Sequence, residues 1–196
     1  MIASRIALPM ILLLSLGGCM SQRQGPVAPP PADPIAATPA EELRAKGLAH
    51  ARRGDLTRAQ QYLSAAQAKG FDEKVIVPEL VKICIAASRL RAALAFAEPY
   101  VDKHPEDAGM SYVVGTIHLA LGDLQRASSH LSGALRPSHI MIDAAYSLAL
   151  IAMEEGRTGE AREHLKHYLR AAPKGQFASR AKNLLERITP IVLSQN

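Results

Sequence analysis

The chain has 196 residues, a formal net charge of +5 at pH 7 and a hydrophobic fraction of 48%. Aromatic residues make up only 4% and tryptophan is absent, which argues against a nucleic-acid partner that is read by base stacking. Two cysteines, Cys19 and Cys84, are too few for a disulfide framework.

The first segment, residues 1–18, has the pattern of an export signal. Arg5 supplies a short positive region, and an apolar run follows over residues 6–16. That run is shorter than the roughly 20 apolar residues needed to span a bilayer. We therefore expect residues 1–18 to be a signal peptide rather than a membrane helix.

The signal ends in Leu16-Gly17-Gly18-Cys19, which resembles the bacterial lipobox. The resemblance implies that the Cys19 sulfur receives a diacylglycerol and that the chain is cut before it. Met20 follows where an aspartate would cause inner-membrane retention, so the family's sorting pattern implies the outer membrane of a Gram-negative bacterium, with the folded part facing the periplasm. The alternative is an ordinary secretory signal that contains a cysteine.

Residues 19–39 contain six prolines and almost no large apolar side chains. This composition cannot form a packed core and is typical of linkers. We expect a disordered tether between the lipidated Cys19 and the folded part.

A period of 34 residues organises the chain from residue 40 onward. Small residues recur along it, and turn-forming residues keep the same spacing: the sets are Ala59, Ala93, Ala127 and Ala161; Gly47, Val81, Gly115 and Ala149; Gly54, Ser88, Gly122 and Gly156; and Phe71, Pro105, His139 and Pro173. The period and these small residues resemble the tetratricopeptide repeat (TPR) family.

The resemblance implies an all-α fold, an α-solenoid of about four helix hairpins plus a C-terminal capping helix. The repeats are expected at 40–73, 74–107, 108–141 and 142–175. Gly54, Gly122 and Gly156 are expected to end first helices, with Asp55 and Asp123 capping the helices that follow.

Residues 176–196 are expected to form the capping helix and a tail. Apolar residues at helical spacing give that helix its inner face: Phe177, Ala181, Leu184, Leu185 and Ile188.

The second repeat departs most from the pattern. We expect Pro78 in the first turn of a shortened first helix, where proline is tolerated. Pro99 falls inside the second helix and is expected to kink or end it.

No sequence feature supports catalysis or a cofactor. The chain has no HExxH, GxSxG or phosphate-loop motif. Cys84, His50 and His118 share one core position of the first helices and are expected to pack there. His164 and His167 could form half of a metal site, but a third ligand is missing, so we predict no metal, no small-molecule substrate and no enzyme activity.

In TPR proteins the partner usually contacts first-helix positions 2, 5, 9 and 12, and the resemblance implies a groove formed by ten residues of this chain. They are Arg44, Leu48, Lys82, Ile85, Tyr112, Thr116, Leu119, Tyr146, Leu150 and Met153. The family's clamp for a C-terminal carboxylate is absent, because Leu48 follows Arg44 where asparagine is required. Tyr112 and Tyr146 are the preferred contacts, whereas Leu48, Ile85 and Leu150 could equally pack into the core.

A lipidated TPR chain resembles the Tad/Flp pilus assembly lipoprotein and the type IV pilus pilotins. This implies a scaffold for protein partners, such as a secretin or other pilus and secretion components. The alternatives are an adaptor that docks peptidoglycan hydrolases or proteases at the outer membrane, and a catalytic or metal-binding envelope protein. The repeat pattern alone cannot choose, because it specifies a fold and not a task.

Overall fold

The computed structural model describes residues 34–135 and 141–188. The chain divides into two units, Met1–Asp33 and Pro34–Asn196, and every described residue belongs to the second. The predictions for the signal peptide, for Cys19 and for residues 189–196 lie outside this part. Within it, no helix has the length and apolar character needed to cross a membrane.

The described residues form ten α-helices and no β-strand. The helices are α1 (Pro34–Ala37), α2 (Ala40–Arg52), α3 (Leu56–Ala68), α4 (Glu73–Ala86), α5 (Leu90–Lys103), α6 (Ala108–Ala120), α7 (Leu124–Ala134), α8 (Asp143–Glu154), α9 (Thr158–Ala171) and α10 (Ala178–Ile188).

Four helix hairpins follow one another, and a final helix packs on the last. The hairpins are α2–α3, α4–α5, α6–α7 and α8–α9, and α10 packs against α9. Each hairpin also contacts the next, so neighbouring repeats complete one another's apolar core. The predicted fold class, an α-solenoid of four hairpins with a capping helix, is confirmed.

The turn inside each hairpin needs one residue with a left-handed backbone. Gly54, Gly122 and Gly156 supply it with φ of 79°, 78° and 73°, as predicted. Ser88 takes the same place in the second hairpin with φ 56°, although its Cβ makes this conformation unfavourable. The turn geometry of the repeat therefore overrides the residue's own preference.

Aspartates cap the second helices of two hairpins. The Asp55 carboxylate accepts a hydrogen bond from the Arg58 backbone N–H at 3.0 Å, and Asp123 accepts one from Arg126 at 3.1 Å. Both predicted caps are confirmed, and each satisfies a backbone donor that has no partner within its helix.

Small residues bring the paired helices together. A Cβ added to Gly115 would lie 2.7 Å from Leu131 Cγ, and one added to Gly47 would lie 2.8 Å from Leu63 Cγ. Neither position has room for a side chain, so glycine here allows the leucine of the facing helix to approach the backbone.

The prediction for Pro78 is wrong, and Pro99 does not end its helix. Helix α4 is not shortened, and Pro78 lies in its second turn rather than its first. Helix α5 continues past Pro99 to Lys103. Pro99 and Ala95, whose carbonyl loses its helical partner, are both exposed, so water can bond that carbonyl while the buried face of the helix holds it in place.

The tether prediction is wrong for its last residues. Pro34–Ala37 forms the short helix α1, and Ile35 packs on the core of the first two hairpins. Lys69 Nζ also donates a 2.6 Å hydrogen bond to the Ala36 carbonyl. The segment is thus attached to the fold through one apolar side chain and one backbone carbonyl. The proline-rich composition of the segment did not indicate these two contacts.

Two of the three residues expected at the shared core position are buried, and the third is half-buried. Cys84 is fully enclosed, and burial raises the pKa of its thiol, so it is an unreactive small hydrophobe. His118 is 2% exposed and its Nε2 lies 2.9 Å from Glu98 Oε1. His50 is half-buried and stacks on Tyr62, with 5.3 Å between the ring centroids.

Candidate partner-binding groove

The first helices of hairpins one and two enclose an apolar cavity of about 440 Å³. Helix α2 contributes Leu48, and helix α4 contributes Ile83 and Ala86. Glu79 and Lys82 of α4 and Arg52 of α2 supply charged groups at the wall. We refer to it below as the larger cavity.

A second cavity of about 260 Å³ lies on the other side of α4, against α6. Its wall is almost entirely apolar and includes Pro78, Val81 and Ile85 from α4, with Met110 and Val113 from α6. Ile85 is 40% exposed, unusual for a large aliphatic side chain. This is the smaller cavity, and the two together form what we term the first-helix groove.

Lys82 is the one residue that lines both cavities. Its side chain is exposed and has no hydrogen bond or ion pair with the part of the chain that the structure describes. A cation thus stands between two apolar recesses, where an acidic group flanked by apolar side chains would find complementary surfaces.

Arg44 is engaged within the fold. Its guanidinium forms a bidentate pair with Glu79 of the next repeat, with 3.0 Å from Nε to Oε2, and it lies over the Phe71 ring at 5.4 Å from the centroid. The bond to Glu79 raises the Arg44 pKa. Arg44 therefore joins hairpins one and two rather than offering a free charge to a partner.

The three candidate contacts on α6, the first helix of hairpin three, are partly buried. Tyr112 and Leu119 pack against the core between hairpins three and four, and burial raises the Tyr112 pKa. The Thr116 hydroxyl donates to the Val113 carbonyl of its own helix at 2.8 Å. Each keeps some exposed surface.

Tyr146 is not available as a contact, which corrects its prediction. Its side chain is only 7% exposed because the Phe177 ring stacks on it, with 4.5 Å between centroids and 9° between planes. Leu150, expected either in the groove or in the core, packs against the core that α8 and α9 share with α10. Met153 is half-buried at the end of α8.

Leu48 and Ile85 were each expected either in the groove or in the core. Leu48 belongs to both, because it packs against the apolar core of the first hairpins and also lines the larger cavity. Ile85 belongs to the groove. Met110 and Val113 lie outside the positions that the rule names, so the rule misses them. Pro78 is position 5 of the second repeat and lies one helical turn before Lys82, on the same face.

The histidines on α9 do not assemble a metal site in the described structure. His164 Nε2 lies 3.6 Å from Glu160 Oε1, and burial lowers the His164 pKa. Over residues 34–135 and 141–188, no three His, Cys, Asp or Glu side chains come together in a way that could hold a metal ion.

Comparison with known proteins agrees with this geometry. The tetratricopeptide repeat family profile matches residues 85–138, which include the end of α4 and the whole of α5, α6 and α7. The chain has a tetratricopeptide repeat fold. No curated protein matches its sequence.

Solved TPR structures superpose on most of the chain at low sequence identity. YrrB, described as a TPR protein with an unusual peptide-binding site, is 17% identical, with 74% of each chain covered and a TM-score of 0.64. MamA is 18% identical over 76% of this chain and 85% of its own, also with a TM-score of 0.64. A TPR protein from Parabacteroides merdae is 20% identical over 76% of this chain and 59% of its own, with a TM-score of 0.68. At these identities the likeness concerns the fold.

Proposed function

We propose that this protein is a lipid-anchored scaffold of the outer membrane that binds a segment of a protein partner in its first-helix groove. In this role it assists the assembly of an envelope machine, of the Tad/Flp pilus, type IV pilus or secretion kind. The proposal is supported by the resemblance of residues 16–19 to the lipobox and by the accessible apolar surface beside Lys82. The peptide-binding description of YrrB favours the same use of this fold.

The observation that carries the proposal is the pair of apolar cavities on either side of Lys82. Packed helices lie about 8–10 Å apart, so cavities on opposite sides of α4 are separated by roughly one such spacing. In an extended segment, side chains two residues apart point to the same face and lie about 7 Å apart. The partner motif is therefore two apolar side chains on one face of the bound segment, with an acidic residue nearby for Lys82.

The groove is tested by the double variant Lys82→Glu/Ile85→Asp. It replaces the cation with an anion and places a charge in the smaller cavity, and burying an unpaired carboxylate against apolar walls is costly. In a strain that lacks the chromosomal copy, we expect this variant to lose the assembly of secretin multimers and surface pili, while the wild-type gene restores both.

The matched control is Lys74→Glu/Val75→Asp on the same helix. Val75 is 39% exposed and Lys74 is exposed, so the chemical change is equal but lies outside the two cavities. We expect the control to restore assembly fully. Normal multimers and pili in the deletion strain itself would count against a pilus role and would favour docking of peptidoglycan hydrolases or proteases, which cell-wall cleavage assays on the same strains would detect.

The lipid anchor is tested at Cys19. We expect a metabolically supplied alkyne analogue of palmitate to label the wild-type protein, and expect no label on Cys19→Ser because the acyl acceptor is gone. Cys84→Ser serves as the control and should label like the wild type, since the Cys84 thiol is buried. Absence of label from the wild-type protein would identify an ordinary secretory signal instead.

A further inference from the structure

One edge of the solenoid collects arginines. We define the turn edge as the last turn of each first helix, the connecting turn and the first turn of the second helix. In the first three hairpins this edge carries six arginines against two aspartates, a net charge of +4. The residues are Arg52, Arg53, Arg58, Arg89, Arg91 and Arg126, with Asp55 and Asp123.

The opposite edge has the opposite sign. It comprises the start of α2 and the junctions α3–α4 and α5–α6, each taken with its flanking helical turns. Seven acidic residues face three lysines there, a net charge of −4 among the described residues. They are Glu41, Glu42, Asp72, Glu73, Asp102, Glu106 and Asp107, with Lys69, Lys74 and Lys103. The first three hairpins are thus electrostatically polarised across the width of the solenoid.

The arginines of the turn edge are presented outward. The side chains of Arg52, Arg53 and Arg91 are exposed and form no hydrogen bond or ion pair within residues 34–135 and 141–188. Arg58 and Arg126 pair with the capping aspartates Asp55 and Asp123. Arg89 is held in place by hydrogen bonds of 2.7 Å to both Gln60 and Thr57, two neutral groups that leave its charge uncompensated.

An exposed leucine lies among these cations. Leu121 is 40% exposed and, together with Arg91, lines two adjoining cavities of about 420 and 440 Å³. Glu98 also lines the first of them, but its carboxylate is engaged by His118 Nε2 at 2.9 Å and lies 3.7 Å from Arg126 Nη1. The surface therefore combines guanidinium groups with one accessible apolar side chain.

The patch ends at the fourth hairpin. There the turn edge carries Glu154, Glu155 and Glu160 against Arg157, and the Arg157 guanidinium is already paired with Glu155 and Glu160. The net charge of this hairpin's edge is −2, from three glutamates and one arginine. The cationic surface is therefore a bounded feature of hairpins one to three.

We propose that this turn edge binds the anionic phospholipid surface of a bilayer, as a site that adjoins the larger cavity of the first-helix groove at Arg52. Three consecutive hairpin turns extend over about 20 Å, from a spacing of 8–10 Å per packed helix. A membrane surface presents phosphates continuously over that length and hydrocarbon beneath them, which matches guanidiniums that surround an exposed leucine. The acidic edge then faces away from the lipid.

Binding of the turn edge to a bilayer does not require the lipid at Cys19, but it is compatible with it. The 15 residues from Cys19 to Pro34 span at most about 50 Å, more than the roughly 20 Å length of a 13-residue helix. An anchored chain could therefore present either edge to the bilayer, and the electrostatic polarity selects the turn edge.

The test uses a chain of residues 20–196, which contains the whole second unit and no lipid. We expect it to sediment with phosphatidylcholine vesicles that contain about 30% phosphatidylglycerol, to bind pure phosphatidylcholine little, and to be released by high salt. Arg52→Gln/Arg53→Gln/Arg91→Gln should weaken partitioning about 100-fold, from about fivefold for each unpaired arginine. The matched control, Lys69→Gln/Lys74→Gln/Lys103→Gln, removes the same charge from the opposite edge and should change partitioning less than about fivefold.

Equal losses in the two triple variants would mean that only net charge matters and would overturn the assignment of the turn edge. No binding to the anionic vesicles at low salt would overturn the membrane itself as the occupant and leave an acidic protein surface in its place. The single groove variant Lys82→Glu leaves every residue of the turn edge unchanged, so its vesicle binding should remain within about threefold of the wild type. This variant therefore tests the turn edge independently of the cation in the groove.

Discussion

Replacing Gly115 with leucine is expected to lower the free energy of unfolding by about 3 kcal/mol. The first atom of the new side chain would already lie 2.7 Å from Leu131 Cγ and 3.1 Å from the Leu131 backbone nitrogen. The side chain of Leu131 can rotate, but its backbone nitrogen cannot yield without moving α7. The whole third hairpin must therefore open, and denaturant unfolding followed by far-UV circular dichroism measures the loss.

Gly133 is the matched control, because it lies in α7 of the same hairpin and an added Cβ there would meet no atom within 4 Å. Gly133→Ala is expected to raise the free energy of unfolding by about 0.5–1 kcal/mol, since alanine stabilises a helix interior relative to glycine. Gly115→Ala should have the opposite sign. If both alanine variants stabilised the protein, the close approach of α6 and α7 would not be the reason for the glycine.

The 34-residue lattice predicted most of the fold because its signals are local and repeat. Gly54 and Gly122 determine the turns of their hairpins, and Asp55 and Asp123 begin the next helices. Such features need only neighbours within a few residues, so the sequence displays them directly. The stacking of one hairpin on the next then follows from the shared apolar faces.

The prolines of the second hairpin show where local preference misleads. Pro78 removes a backbone donor in the second turn of α4, yet Val77, Leu80 and Val81 are buried around it and hold that turn helical. Ser88 likewise takes a left-handed conformation that favours glycine. In both places tertiary packing outweighs an unfavourable term of about 1–3 kcal/mol.

The sequence predicted where the groove lies but not which of its charged side chains are free to bind a partner. The repeat positions found Leu48, Lys82 and Ile85, which the structure brings to two neighbouring cavities. The same rule also selected Arg44, which is held by Glu79 of the next repeat. A charge's partner depends on how two repeats stack, and no spacing within one repeat reveals it.

The burial of Tyr146 could not be predicted from the repeat pattern, because the residue that covers it, Phe177, comes 31 positions later and outside the four repeats. We expect Phe177→Ala to lower the free energy of unfolding by about 3 kcal/mol, from the lost burial of the ring and of its stacking. Phe177 stacks on Tyr146 and lies 6.2 Å from the Tyr168 centroid, while its backbone N–H donates to Tyr168 Oη at 3.0 Å. Phe177→Leu keeps most of the volume and should cost about 1 kcal/mol.

The accessibility of Tyr146 gives a second readout of the same variant. Nitration by tetranitromethane, mapped by peptide mass spectrometry under native conditions, should leave Tyr146 unmodified in the wild type and in Phe177→Leu, and should modify it in Phe177→Ala. Since this ring, which lies just before α10, covers Tyr146 of α8, its removal should extend the exposed first-helix surface from α6 onto α8. Protection of Tyr146 at the wild-type level in Phe177→Ala would show instead that α8 and α9 bury the tyrosine without help from the capping segment.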